Sequence, residues 1–95
     1  MIERHVELCV YDGAQEAFEI LFAQEYRPAM ARQQGFGSAH LLRQQVDAAR
    51  YPMVSRFDTV EHAADWRASD DHRALQPRLK SLYSSSELEV FDVVA

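Results

Sequence analysis

The chain has 95 residues, 47% of them hydrophobic, and a formal net charge of −5 with a pI near 5.2. That is one domain with enough apolar content for a core, and its basic residues are scattered, which argues against nucleic acid or an anionic membrane surface as partner. Cys9 is the single cysteine, which excludes an internal disulfide and a cysteine-based zinc site, and no apolar run of signal or membrane-span length follows Met1, so a cytoplasmic protein is expected.

Residues 2–11, IERHVELCVY, alternate with period two. Ile2, Val6, Leu8 and Val10 point one way and Glu3, His5, Glu7 and Cys9 the other, as in a strand with one buried face. Asp12-Gly13 ends it. From Gln15 the period becomes helical, with Phe18, Leu21, Phe22, Tyr26, Ala29 and Met30 on one stripe. Pro28 interrupts that stripe and predicts a kink near Gln24, whose carbonyl loses its partner; Gly35 supplies the stop. Residues 38–46 and 51–57 read as two strands of an antiparallel hairpin, with Pro52 suited to a strand end or edge.

Asp58 and Glu61 look like a capping box that opens a second helix. That helix has two phases. Ala63 and Trp66 share one face, whereas His72, Leu75, Leu79 and Leu82 share another, so a break is expected at Ser69-Asp70 within WRASDDH, the segment that brings a large aromatic and an imidazole together. The tract Ser84-Ser85-Ser86 reads as a turn, and residues 87–94 as a last strand with both faces partly apolar. The order β-α-β-β-α-β predicts an α+β, ferredoxin-like domain: a four-stranded antiparallel sheet with both helices on one face. The bare face and the high apolar fraction predict a homodimer.

Gly35-Phe36, HLLR (His40 to Arg43) and RFDTVEHAADWRASDDH (Arg56 to His72) resemble the antibiotic biosynthesis monooxygenase superfamily of dimeric α+β barrels. The resemblance spans nearly the whole chain. It implies a homodimer whose two sheets pack into a barrel, with a ligand cavity between sheet and helices in each subunit. Members include cofactor-independent oxygenases of polycyclic phenols, quinol oxygenases, heme-degrading enzymes and proteins without known activity. The heme-degrading branch carries an Asn on the first strand, a Trp on the second helix and a His further along that helix. Here those positions hold Val6, Trp66 and Gln76, and Gln is a poor substitute for an imidazole iron ligand, so heme is disfavoured.

Expected candidates then follow by residue type. His72 is a candidate general base for a phenol, or a structural histidine on the Leu75-Leu79 stripe. Trp66 either walls a flat aromatic substrate or packs in the core. His40 and Arg56 would bind a substrate oxygen if they faced the cavity, with an ion pair the alternative for Arg56. The Tyr26 hydroxyl needs a partner, either a ligand or a backbone carbonyl near Pro28. His5 and His62 are expected at the surface. No local His pairing supports a metal, Cys9 has no activating neighbour, and there is no Gly-rich phosphate loop, so neither a metal nor an organic cofactor is expected. The leading expectation is an oxygenase of a small phenol or quinol. A non-catalytic dimeric ligand-binding or stress-associated protein and a small isomerase are the alternatives.

Overall fold

The computed structural model describes residues 1–95 and has the expected element order. It runs β1 (Ile2–Val10), α1 (Gln15–Leu21), a π-helical segment (Phe22–Tyr26), α2 (Arg27–Ala31), β2 (Phe36–Leu41), β3 (Arg50–Phe57), α3 (Val60–Ala68), α4 (Asp70–Lys80) and β4 (Tyr83–Asp92). The four strands lie in the order β2-β3-β1-β4, and every neighbouring pair is antiparallel. The fold is the ferredoxin-like α+β arrangement, with both helical layers on one face.

Alternation along β1 decides what each face becomes. Ile2, Leu8 and Val10 are buried under the helices, together with Phe18, Phe22, Tyr51, Phe57 and Trp66. Full burial of each large apolar side chain contributes roughly 1.5–3 kcal/mol. On the opposite face, Glu3, His5, Glu7 and Cys9 pair across with Arg56, Val54, Pro52 and Arg50 of β3, and with Phe91, Glu89, Glu87 and Ser85 of β4. None of these residues belongs to the buried core.

Three local expectations need correction. The first long helix is irregular around Gln24, as expected, but not by a kink. It widens into a π turn over Phe22–Tyr26, where the Arg27 N–H donates to the Phe22 carbonyl, and Pro28 then sits in the first turn of α2, where its missing N–H costs little. The second helix starts one residue later than expected. Thr59, not Asp58, is the N-cap, and its hydroxyl accepts from the His62 N–H, while Asp58 pairs with the His62 ring, leaving that histidine half-buried. The Ser84–Ser86 tract is not a turn. Ser85 and Ser86 pair with Cys9 and Leu8, so β4 begins at Tyr83, and a register shift opposite Cys9 and Val10 absorbs the irregularity.

The expected break in the second helix is present. Ser69 has extended backbone (φ −69°, ψ 155°) and serves as the last cap of α3 and the first cap of α4. No helix is long and apolar enough to cross a membrane.

Candidate functional site

A cavity of about 190 Å³ lies between the sheet and the helices. Arg4, Val6 and Met53 form part of its sheet side, and Tyr26, His72 and Gln76 part of its helical side, with Arg67 at the edge. The interruption at Ser69 places His72. The Ser69 hydroxyl donates to the Trp66 carbonyl at 2.7 Å and accepts from the His72 N–H at 3.2 Å, so one side chain ties the two segments together. The His72 ring then meets Trp66 edge to face at a centroid distance of 5.2 Å. Tyr26 meets the same indole edge to face at 5.3 Å and lies 6.2 Å from His72. Offset and T-shaped contacts of this kind favour defined ring orientations.

Burial lowers the pKa of the His72 imidazole below its ordinary 6.5, and the positive charges of Arg67 and Arg4 lower it further. It is therefore neutral at pH 7, with a free lone pair. Burial pushes the Tyr26 phenol up to about 12, which keeps it protonated as a hydrogen-bond donor. Gln76 donates from Nε2 to the Tyr83 hydroxyl at 3.2 Å, and both residues line the cavity.

The site residues expected from the sequence separate into three groups. His72 and Tyr26 line the cavity. Trp66 does not. It is completely buried behind them and acts as the surface against which both rings are set. His40 and Arg56 are on the other face of the sheet: His40 is exposed and pairs in register with Val54, while Arg56 donates to Glu3 at 2.6 Å. Neither lines this cavity. His5 also lies on that face, half-buried against Phe91 with ring centroids 4.8 Å apart.

Arg4 and Arg67 were not among the residues expected from the sequence. A signal for Arg4 was available: it is the one charged residue on the side of β1 that otherwise carries Ile2, Val6, Leu8 and Val10. For Arg67, one position after Trp66 on α3, no comparable signal exists.

Heme does not suit this site. The amide of Gln76 occupies the helical position where the heme-degrading branch carries its imidazole, and it is engaged with Tyr83. The volume is also below the ~300–1,000 Å³ of drug-sized ligand pockets, and a porphyrin is larger still. No three His, Cys, Asp or Glu side chains converge as a metal site.

The profile of the antibiotic biosynthesis monooxygenase family matches residues 1–78. The chain belongs to that family. Among solved structures, a Bordetella bronchiseptica protein named for the antibiotic biosynthesis monooxygenases superposes with a TM-score of 0.89 at 24% identity, covering 99% of this chain and 97% of its own. SnoaB, a cofactor-independent oxygenase from Streptomyces nogalater, superposes with a TM-score of 0.89 at 23% identity, covering 99% and 93%. A Nitrosomonas europaea protein named for the same family covers 100% of both chains at 14% identity, with a TM-score of 0.88. At these identities the likeness establishes the shared fold. No curated protein matches the sequence.

Proposed function

We propose that this antibiotic biosynthesis monooxygenase family member oxidises a small phenol- or quinol-type aromatic with dioxygen, using no metal or organic cofactor, and works as a homodimer joined through its open sheet faces. The observation that carries the reading is a neutral imidazole, His72, on the wall of a mixed polar and apolar cavity, held in place by Ser69 and Trp66. The cofactor-independent oxygenase SnoaB shares the fold.

Ground-state dioxygen reacts slowly with closed-shell molecules, so the substrate has to be made electron-rich. His72 takes the phenolic proton, and the phenolate passes one electron to dioxygen. The resulting radical pair combines into a C–O bond. His72 returns a proton to the peroxide; the C–H bond at the carbon bearing it then breaks, its electron pair forms the new carbonyl as the O–O bond breaks, and the leaving hydroxide takes up the released proton as water. A phenol plus O₂ gives a quinone plus H₂O, and the substrate supplies all four electrons, so the balance needs no external reductant. The Tyr26 hydroxyl, protonated at neutral pH, is a donor for the oxyanion that develops. The apolar part of the lining strengthens that contact by keeping water away from it.

Oxygen uptake with a panel of hydroquinones, naphthols and anthrones tests the reading directly. Turnover by the native protein should fall by about 10²–10⁴ in His72→Gln with little change in ligand binding. Saturable binding of these aromatics without oxygen uptake in the native protein would assign the cavity to a non-catalytic binding protein instead.

A further inference from the structure

We propose that Arg4 and Arg67 form a binding subsite for a carboxylate carried by the substrate, so that the ligand is an aromatic acid rather than a neutral phenol. This subsite deepens the oxygenase reading and rests on it for the ligand being a substrate, whereas carboxylate binding is independent of turnover.

The chain carries an excess of acidic residues, yet no Asp or Glu lines the cavity that holds His72. Its other arginines are accounted for. Arg32, Arg43, Arg50, Arg56, Arg73 and Arg78 each lie within ion-pair distance of a carboxylate, and Arg27 sits over the Phe22 ring at 5.4 Å. Arg4 and Arg67 alone have neither arrangement. Arg4 is half-buried on the helix-facing side of the central strand β1, and burial together with the Arg67 charge works against its ionised form. A buried charge without a partner costs stability, and folding alone does not account for one at this position.

Arg4 and the exposed Arg67 also line a neighbouring cavity of about 120 Å³, formed otherwise by apolar side chains such as Ile2, Ala63 and Val90. The pair therefore lines both the mixed polar and apolar cavity that holds His72 and a more apolar one. A ligand with an anionic group flanked by an apolar ring matches that order. Carboxylates are the natural partners of guanidinium groups, which offer several N–H donors in one plane.

The reaction has the same requirement. When His72 takes a proton, the cavity holds an imidazolium beside two guanidiniums, facing one phenolate. No Asp, Glu or Lys lines the cavity with His72, and the Tyr26 phenol there stays protonated at neutral pH. A permanent carboxylate on the ligand offsets the excess positive charge and makes protonation of His72 less costly.

A matched pair of ligands separates the outcomes: 1-naphthoate and the neutral 1-naphthamide, titrated while following the fluorescence of Trp66, the only tryptophan. The native protein should bind the naphthoate at least about tenfold more tightly. That preference should vanish in Arg4→Met/Arg67→Gln, leaving affinity for the amide unchanged. Thermal unfolding of the double variant should occur at the same or a higher temperature, because residues kept for binding are commonly a stability cost. Such a variant losing its fold would mark the pair as structural and overturn the proposal. Equal binding of both ligands by the native protein, or binding of neither, would also overturn it. Inorganic phosphate alone binding as tightly as naphthoate would overturn it in favour of a free-anion site. Carboxylate preference intact in His72→Gln, with no oxygen uptake in the native protein, sinks the oxygenase reading and leaves the subsite standing.

Discussion

In the proposed reaction His72 takes the phenolic proton, and its lowered pKa makes two measurable quantities depend on pH. Activity that needs the free base should rise with pH on the acid side, with a midpoint below 6.5, the ordinary imidazole value. A kcat/KM profile in the native protein reads that midpoint, and one at or above 6.5 would remove His72 as the base. Stability moves in the same direction. The folded pKa lies below the unfolded one, so between the two values the unfolded chain binds more protons. Stability from this group is complete above about 6.5 and is lost as the pH falls through the folded value. Denaturant midpoints of native protein and His72→Gln, compared from about pH 5 to 7, should converge or diverge only in that window. Trp66 belongs to the same scale but to a different role. With no exposure at all and two rings set edge-on against it, its replacement by Ala should cost about 3–5 kcal/mol of stability. Urea unfolding measures the loss. A change near zero would mean that the indole is not the surface that sets the two rings.

At the scale of elements, two irregularities build the site. The π turn over Phe22–Tyr26 ends on Tyr26, and the break at Ser69 begins the segment that carries His72. Sequence showed both as disturbances, through Pro28 inside an apolar stripe and through two helical phases either side of Ser69. It located the second correctly because Ser is a strong cap and the phase change leaves no other place for the break. It misjudged the form of the first because a proline is accommodated either by bending or by one widened turn, and packing of the Phe22 and Tyr26 side chains against the core decides between them. Ser69→Ala removes both the cap on α4 and the bond to the Trp66 carbonyl. We expect a loss of about 0.5–2 kcal/mol in thermal unfolding, with a larger fall in turnover than in ligand affinity as His72 loses its anchor. Equal effects on both would argue that the cap serves stability alone.

For the whole molecule, assembly turns on the sheet face away from the helices. It carries Val54 and the ring pair His5–Phe91, together with Glu87 and Glu89, and no part of the chain puts it in the buried core. The proposed homodimer covers it. Sedimentation equilibrium should give twice the 10.9 kDa chain mass at micromolar concentration. Val54→Glu, which sets a third acidic charge among those residues, should shift the distribution toward monomer. A monomeric native protein would end the barrel-dimer reading and leave the cavity within each chain unaffected.

Alternation and helical stripes were sufficient to determine the element order, the antiparallel sheet and most of the core, because each depends on a local period that repeats along the chain. The same logic placed Tyr26 and His72 on faces that look inward. Which strand residues meet the cavity was decided by tertiary structure. The shift between Phe36 and Ser38 puts Phe36 opposite Phe57 and Ser38 opposite Arg56, so His40 falls on the open face with Val54. A one-residue slip exchanges the two faces of a strand, and here it falls at Gly37, a residue type suited to a bulge inside a strand. The meeting of Arg4 with Arg67, residues far apart in the chain, was likewise set by the packing of α3 over β1. Local periodicity specifies faces, whereas the convergence of charges on one cavity depends on how those faces are brought together.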